Sequence, residues 1–148
     1  MKFLALDVGQ RRIGVASCDR FEMTVRPLQV IRAGEQAARE LRMLCEREEA
    51  EGIVVGLPLS TDGTERDACE RVRVFVDRLK TCTSLPIYLE DERHTTQFAA
   101  GRLADEGVRK EKRRDLIDAW AAAEILELFL AGRRKRGETY DQQPEPVT

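Results

Sequence analysis

The acidic residue Asp7 ends the first apolar run of the chain and constrains the fold more than any other feature. Residues 3–6 are apolar, Gly9 and two arginines follow the acid, and a second apolar run begins at Ile13. This order predicts a strand, a tight turn and a returning strand, with Asp7 at the end of a row of otherwise buried side chains. An ionised acid there has to be paired, hydrogen-bonded or bound to a metal ion. The plainer alternative is that Asp7 only caps a hairpin turn.

The composition limits the class of protein. The net charge is −2 with 35% charged residues, so any contact with nucleic acid has to come from local basic patches. The four cysteines are widely spaced, which indicates reduced structural thiols rather than a zinc or redox motif. No apolar run reaches the roughly 18 residues of a membrane span, and nothing resembles an export signal. We therefore expect a cytoplasmic protein.

Changes in apolar period predict the order of the elements. A third strand is expected at residues 25–31, so that the first three strands form an antiparallel meander. Helical spacing then alternates with apolar runs at 53–58 and 86–90, and two more helices follow. The order predicts an α/β domain over residues 1–131, with a five-stranded mixed sheet in which two parallel strands extend the meander. Residues 132–148 are expected to form a polar, flexible tail.

Two further acidic positions break an apolar pattern at the edge of an element. Asp91 and Glu92 end the predicted fifth strand and point to opposite faces, so only one of them can join Asp7 directly. Asp118 interrupts an alanine-rich segment of the last helix that can approach the sheet closely. A salt bridge with Arg114 on the same helix is the plainer interpretation of Asp118.

Three carboxylates at the carboxyl ends of strands suit Mg²⁺ or Mn²⁺, which prefer oxygen ligands. With two ions about 4 Å apart, one activates the attacking water and the other stabilises the leaving 3′ oxygen of a phosphodiester. The pattern predicts hydrolysis without a covalent enzyme intermediate. The single histidine, His94, has no evident triad partners and is expected to be a surface residue at the start of a helix.

Four motifs in order resemble those of the YqgF/RuvX family. They are Asp7-Val8-Gly9-x-x-Arg12-Ile13-Gly14-Val15-Ala16, Val55-Gly56-Leu57-Pro58-Leu59 with Asp62-Gly63-Thr64, Asp91-Glu92-Arg93 with Thr95-Thr96, and Asp118-Ala119-x-Ala121-Ala122. The first motif alone also resembles that of sugar kinases and actin-like ATPases. The resemblance extends from about residue 1 to about residue 131 and implies an RNase H-like fold. It also implies metal-dependent cleavage of structured nucleic acid, either at the 5′ end of pre-16S ribosomal RNA or at Holliday junctions.

The resemblance also implies roles for individual residues. The catalytic and metal-binding set carried over by position is Asp7, Glu92 and Asp118, holding Mg²⁺ or Mn²⁺ and expected to bind two ions. The choice of Glu92 over Asp91 depends only on the strand alternation. The implied substrate-binding residues, which would contact pre-rRNA or branched DNA, are Arg11, Arg12, Arg93, Thr95 and Thr96. A salt bridge to a neighbouring acid is the plainer interpretation of Arg12.

One departure from the resemblance concerns the fourth strand. RuvC-type enzymes place an acid there, whereas residues 53–57 of this chain contain none. The second carboxylate therefore has to come from the fifth strand. The basic residues at 109–114 precede the helix of Asp118 and could hold phosphates in a salt-dependent way, or form a solvated loop.

Two other functions are compatible with parts of this pattern. One is a nucleic-acid-binding, ribosome-assembly module that keeps the fold without catalysis. The other, ATP binding of the actin-like kind, is disfavoured because those proteins close two lobes over the nucleotide and 148 residues supply one. No aromatic stripe decides between RNA and DNA. A junction resolvase needs a homodimer with two symmetric sites, whereas an RNA-processing nuclease can act as a monomer.

Overall fold

A computed structural model describes residues 1–58, 67–91 and 110–144, with residues 110–115 described by their backbone alone. Its helices and strands are, in chain order, β1 (Phe3–Val8), β2 (Arg12–Cys18), β3 (Val25–Arg32), α1 (Ala37–Glu48), β4 (Gly52–Leu57), α2 (Asp67–Cys82), β5 (Ile87–Asp91) and α3 (Lys110–Lys135). The strands form one sheet in the order β3-β2-β1-β4-β5. The predicted α/β class and five-stranded mixed sheet are confirmed.

The strand directions bring several carboxyl ends to one edge of the sheet. β1 pairs with β2, and β2 with β3, in antiparallel fashion, whereas β1, β4 and β5 run parallel to one another. The carboxyl ends of β1, β4 and β5 therefore lie beside the start of β2 and the end of β3. Ligand-binding loops of open α/β sheets collect at such an edge.

Alternation along the strands divides the core into two layers. Leu4 and Leu6 of β1 pack in a cluster that contains the buried faces of α1 and α2. Phe3 and Ala5 of the same strand pack against Ile125 and its buried neighbours on α3. The period of 2 in the sequence thus decides which strand residues face α3.

The sequence pattern predicts the last helix over about residues 115–130. The helix α3 begins at Lys110 and ends at Lys135, so it is longer than predicted and passes the expected boundary at residue 131. Four of its alanines are almost completely buried, and two of them pack against Ala16 of β2: the four are Ala119, Ala121, Ala122 and Ala123. Small side chains at these positions allow the helix backbone to approach the strands closely. The predicted close approach of this helix is confirmed.

A buried arginine joins the end of α3 to the rest of the domain. Arg133 is 1% exposed, and its Nε donates to Oε1 of Glu22 at 2.6 Å. Its Nη1 donates to Oε1 of Glu138 at 2.9 Å, and its Nη2 donates to the carbonyl oxygens of Thr139 and Gln142. These contacts attach residues 133–142 to the body of the protein, although the predicted division at residue 131 itself stays a prediction.

We expect Glu138→Gln to lower the free energy of unfolding by about 2 kcal/mol, because hydrogen bonds to a charged group contribute on the order of 1.5–3 kcal/mol each. The change leaves Arg133 with one carboxylate fewer at a site that is closed to water. Urea unfolding of the variant measures the effect. The matched control is Glu35→Gln, an exposed position that should change stability by less than about 0.5 kcal/mol. Equal midpoints for the two variants would show that the segment after α3 does not unfold with the domain.

All four cysteines are free thiols, and three of them, Cys18, Cys45 and Cys69, are buried. Burial raises the pKa of the Cys18 and Cys45 thiols to about 11, so both are protonated at neutral pH. These two thiols are therefore packing residues rather than nucleophiles.

Within the part of the chain that the structure describes, no helix has both the length and the apolar character that a bilayer crossing requires.

Candidate active site

The β1–β2 turn places the first acidic residue of the site. The backbone N–H of Gly9 donates to the carbonyl oxygen of Arg12 at 2.9 Å, which closes a tight turn directly after β1. A Cβ on Gly9 would lie 2.7 Å from that oxygen, so only glycine fits without a backbone shift. Asp7 is half-buried and lies on the α3 side of the sheet, since it alternates in register with Ala5. The turn therefore holds Arg12 beside the strand end that carries Asp7.

The contact between Gly14 and α3 brings the second acid to the first. Gly14 pairs with Asp7 across β1 and β2. A Cβ on Gly14 would lie 1.8 Å from the carbonyl oxygen of Asp118, so the helix backbone rests directly on this glycine. Because directly paired residues in an antiparallel sheet lie only about 5 Å apart, Asp7 and Asp118 occupy the same corner of the molecule.

Arg12 and Asp118 form an ion pair. The Nε of Arg12 lies 2.9 Å from Oδ2 of Asp118, and the side chains are 43% and 23% exposed. The salt bridge considered for Arg12 is thus present, and it uses Asp118. The alternative partner considered for Asp118, the Arg114 side chain, lies outside the described residues. A guanidinium has five N–H donors, and the Nε–H is the one that lies against Asp118.

The end of β5 separates the two candidate acids by face. Leu89 packs with the α1–α2 cluster, and Tyr88 packs with the α3 cluster. Asp91 follows Leu89 at the period of a strand and so lies on the face away from Asp7. This alternation favours Glu92, which itself lies outside the described residues. Other predicted residues also lie outside the described part of the chain: Arg93, His94, Thr95, Thr96, residues 59–66 and the side chains of the basic patch at 109–114.

A further carboxyl, that of Glu90, lies on the α3 side of β5 opposite Gly56 of β4. Burial raises the pKa of Glu90, the Arg136 charge opposes this shift, and the Asp91 charge adds to it. The α3 side of β5 is therefore partly protected from water just before the position of Glu92.

A basic residue that the sequence pattern does not indicate completes the positive side of the site. Arg32 ends β3, is exposed, and pairs directly with Arg12 across β2 and β3. Like charges directly opposite one another on a sheet are destabilising, so this pair is not explained by stability. The two arginines create a local positive potential beside Asp7 and Asp118.

The donor chemistry of the site can be compared with the metal ions that the sequence implies. Within residues 1–58, 67–91 and 110–144, no three His, Cys, Asp or Glu side chains cluster as a metal site. Asp7 and Asp118 nevertheless offer carboxylate oxygens, and the third expected donor, Glu92, is not among the described residues. Oxygen donors of this kind fit Mg²⁺ or Mn²⁺ rather than a soft metal.

The sequence matches a known protein family over most of its length. Residues 1–132 match the family model described as RuvX, Holliday junction resolvase. The chain belongs to the RuvX family. The resemblance of the four motifs is thereby confirmed, and the match covers both described acids, Asp7 and Asp118.

Curated RuvX-like relatives agree with this assignment. A protein of Anaeromyxobacter sp. (strain Fw109-5), named "Putative pre-16S rRNA nuclease", is 39% identical over 135 residues, which are 90% of this chain and 98% of the relative. A Streptomyces coelicolor protein of the same name is 42% identical over 147 residues, which are 97% of this chain and 88% of that protein.

Solved structures show the fold of this RuvX-family chain independently. RuvC of T. thermophilus in complex with a Holliday junction substrate matches with a TM-score of 0.56 at 15% identity, covering 90% of this chain and 96% of RuvC. The Fowlpox virus resolvase in complex with Holliday junction DNA matches with a TM-score of 0.55 at 7% identity, covering 89% and 98%. The predicted RNase H-like fold is confirmed.

Proposed function

We propose that this RuvX-family protein is a metal-dependent nuclease that hydrolyses phosphodiester bonds in structured nucleic acid. The observation that carries the proposal is the contact of α3 with Gly14, which brings Asp118 beside Asp7 at the edge where β1, β4 and β5 end. Two acids from distant parts of the chain meet there next to two arginines. Carboxylates beside cations are the arrangement that phosphoryl transfer requires.

Different residues of the site would have different roles. Asp7, Asp118 and the third acid Glu92 would hold Mg²⁺ or Mn²⁺, two ions being our expectation. When bound, these ions supply an activated water and neutralise charge on the phosphate. Arg12 orients the Asp118 carboxylate through its ion pair, and Arg12 with Arg32 and Arg11 attracts the substrate backbone. Gly14 sets the distance between helix and sheet.

We propose precursor 16S ribosomal RNA, at its 5′ end, as the substrate, with the Holliday junction as the competing possibility. The individual relatives that cover nearly the whole chain are named for the RNA. The junction is named in the description of the family model and in the resolvase complexes that share the fold at low identity. RNA processing needs one active site, and a homodimer becomes necessary only for symmetric cleavage of a junction. The free thiols fit the reducing cytoplasm, where we expect the protein to act.

Asp91 at the end of β5 and the next residue in the sequence, Glu92, provide a test of the site. Glu92→Gln is expected to reduce the cleavage rate of a labelled pre-16S leader by about 100-fold, a loss of about 2.7 kcal/mol in transition-state stabilisation. Asp91→Asn removes one charge at the next position, on the face away from Asp7, and should keep the rate within about threefold of the native value. Single-turnover kinetics in Mg²⁺ or Mn²⁺ measures both rates. A severe loss in Asp91→Asn together with an active Glu92→Gln protein would overturn our choice of the third acid.

A further inference from the structure

A basic groove lies on the other side of the β1–β2 turn from Asp7. It has a volume of about 150 Å³ and is lined by residues of that turn, by Ala33 and Gly34 after β3, and by the outer face of α2. We call it the turn groove. Gly9 and Gln10 form one wall, and Arg71 and Arg78 of α2 contribute to the other. The wall of the groove is thus the same turn that positions the candidate active site.

The charge of the turn groove is uniformly positive. Its described lining contains two arginines and no acidic residue. Arg71 and Arg78 are exposed, and among the described residues neither side chain has a carboxylate within ion-pair distance. A pair of guanidinium groups that face a groove without an acid is suited to an anionic ligand.

The spacing on α2 favours an extended anion over a single small one. Arg71, Val74 and Arg78 lie at the i, i+3 and i+7 positions of one helix face, and Val74 is 49% exposed between the arginines. At 1.5 Å per residue the arginines are about 10.5 Å apart along the helix. They can therefore contact different phosphates of one strand, with Val74 beneath the sugars between them.

The position of the turn groove beside the active site indicates which nucleic-acid strand it would bind. Gly9 and Gln10 follow Asp7 by only two and three residues, and the exposed Arg11 lies on the same turn. A nucleic-acid strand that is cut beside Asp7 has to cross this turn to reach the groove. We propose that the turn groove binds the sugar-phosphate backbone of the substrate next to the cleaved bond, with Arg71 and Arg78 contacting phosphates. This inference rests on the proposed nuclease function.

The test is equilibrium binding without cleavage. The native protein, the groove variant Arg71→Gln/Arg78→Gln and the control variant Arg73→Gln/Lys80→Gln are mixed in EDTA with a labelled 5′-leader fragment of pre-16S rRNA. The control removes the same charge from α2 at exposed positions that do not line the groove. Dissociation constants are measured by fluorescence anisotropy from about 50 to about 200 mM potassium chloride.

We expect the groove variant to bind about tenfold more weakly than the native protein. The slope of log affinity against log salt should become less steep by about 1.4, since each lost single-strand phosphate contact removes about 0.7. The control variant should stay within about threefold of the native affinity. Equal losses of affinity in both variants, or no loss in either, would overturn the groove assignment. The proposed function would still stand in that case if the native protein cleaved the RNA. If the native protein bound neither this RNA nor a four-way DNA junction, the proposed function and the inference would fail together.

Discussion

Replacing Gly14 with alanine should lower the free energy of unfolding by about 3 kcal/mol or more and remove nuclease activity. The new Cβ would lie 1.8 Å from the Asp118 carbonyl oxygen, 2.1 Å from the Asp118 carbonyl carbon and 2.7 Å from the Ala119 nitrogen. All three are backbone atoms, so no side-chain rotation relieves the clash. The helix has to move off β2, which carries Asp118 away from Asp7 and separates the two acids of the site.

A second glycine provides the matched control. A Cβ on Gly132, within α3, would lie 3.2 Å from Nη1 of Arg136, the mobile end of a long side chain. Gly132→Ala should therefore be tolerated, and it can raise stability by up to about 1 kcal/mol because alanine favours the helix. Urea unfolding and cleavage rates are compared for both variants. A Gly14→Ala protein as stable and as active as Gly132→Ala would contradict the close approach of α3 to the sheet.

The strands and their faces were predictable because the information is local. The period of 2 in residues 3–8 decides which side chains face α3, and the same rule separates Tyr88 from Leu89 on β5. A glycine after Asp7 and a second one at Gly14 mark the turn and the close contact. Local pattern alone was therefore sufficient to select Asp7 and Asp118 as candidates.

The partner of Asp118 was not predictable in the same way. The sequence offers Arg114 as a neighbour on the same helix, whereas the structure pairs Asp118 with Arg12. That contact exists only because α3 crosses β2 at Gly14. How a helix crosses a sheet depends on the packing of many residues, so a local charge pattern does not contain the answer.

Arg32 was missed because of an irregularity in the sheet. The pairs Cys18 with Val25 and Ala16 with Pro27 set one register near the hairpin, and a shift between Val15 and Ala16 changes it by one residue. Counting back from the hairpin would place Ile31 opposite Arg12, whereas the bulge places Arg32 there. A bulge carries no clear sequence signal, so the second arginine of the site could not be assigned.

The burial of Arg133, the first of four basic residues at 133–136, could not be predicted for a related reason. A basic run at the end of a helix is typical of a solvated or frayed segment. Arg133 is buried because Glu22, from the connection between β2 and β3, reaches it from more than a hundred residues away in sequence. The ion pair with Glu22 makes the burial of Arg133 possible, and no neighbouring residue in the sequence indicates that pairing.

Asp7→Asn is expected to reduce cleavage to below about one thousandth of the native rate, a loss of about 4 kcal/mol. Asparagine has the shape of aspartate but lacks the charge that a hard divalent ion requires. The variant should fold normally, because Asp7 is half-buried at a strand end and the substitution changes no volume. Asp77→Asn, on the exposed side of α2, is the control and should keep the native rate within about threefold.

The measurement that tests the central claim most directly uses two labelled substrates, a pre-16S rRNA 5′-leader fragment and a four-way DNA junction. Native and Asp7→Asn proteins are incubated with each in Mg²⁺ or Mn²⁺, and in EDTA. We predict that the native protein cuts the RNA only when the metal ion is present and that Asp7→Asn cuts neither substrate. Binding of both substrates without cleavage by the native protein would contradict the nuclease assignment and favour a binding module with a retained RNase H-like fold.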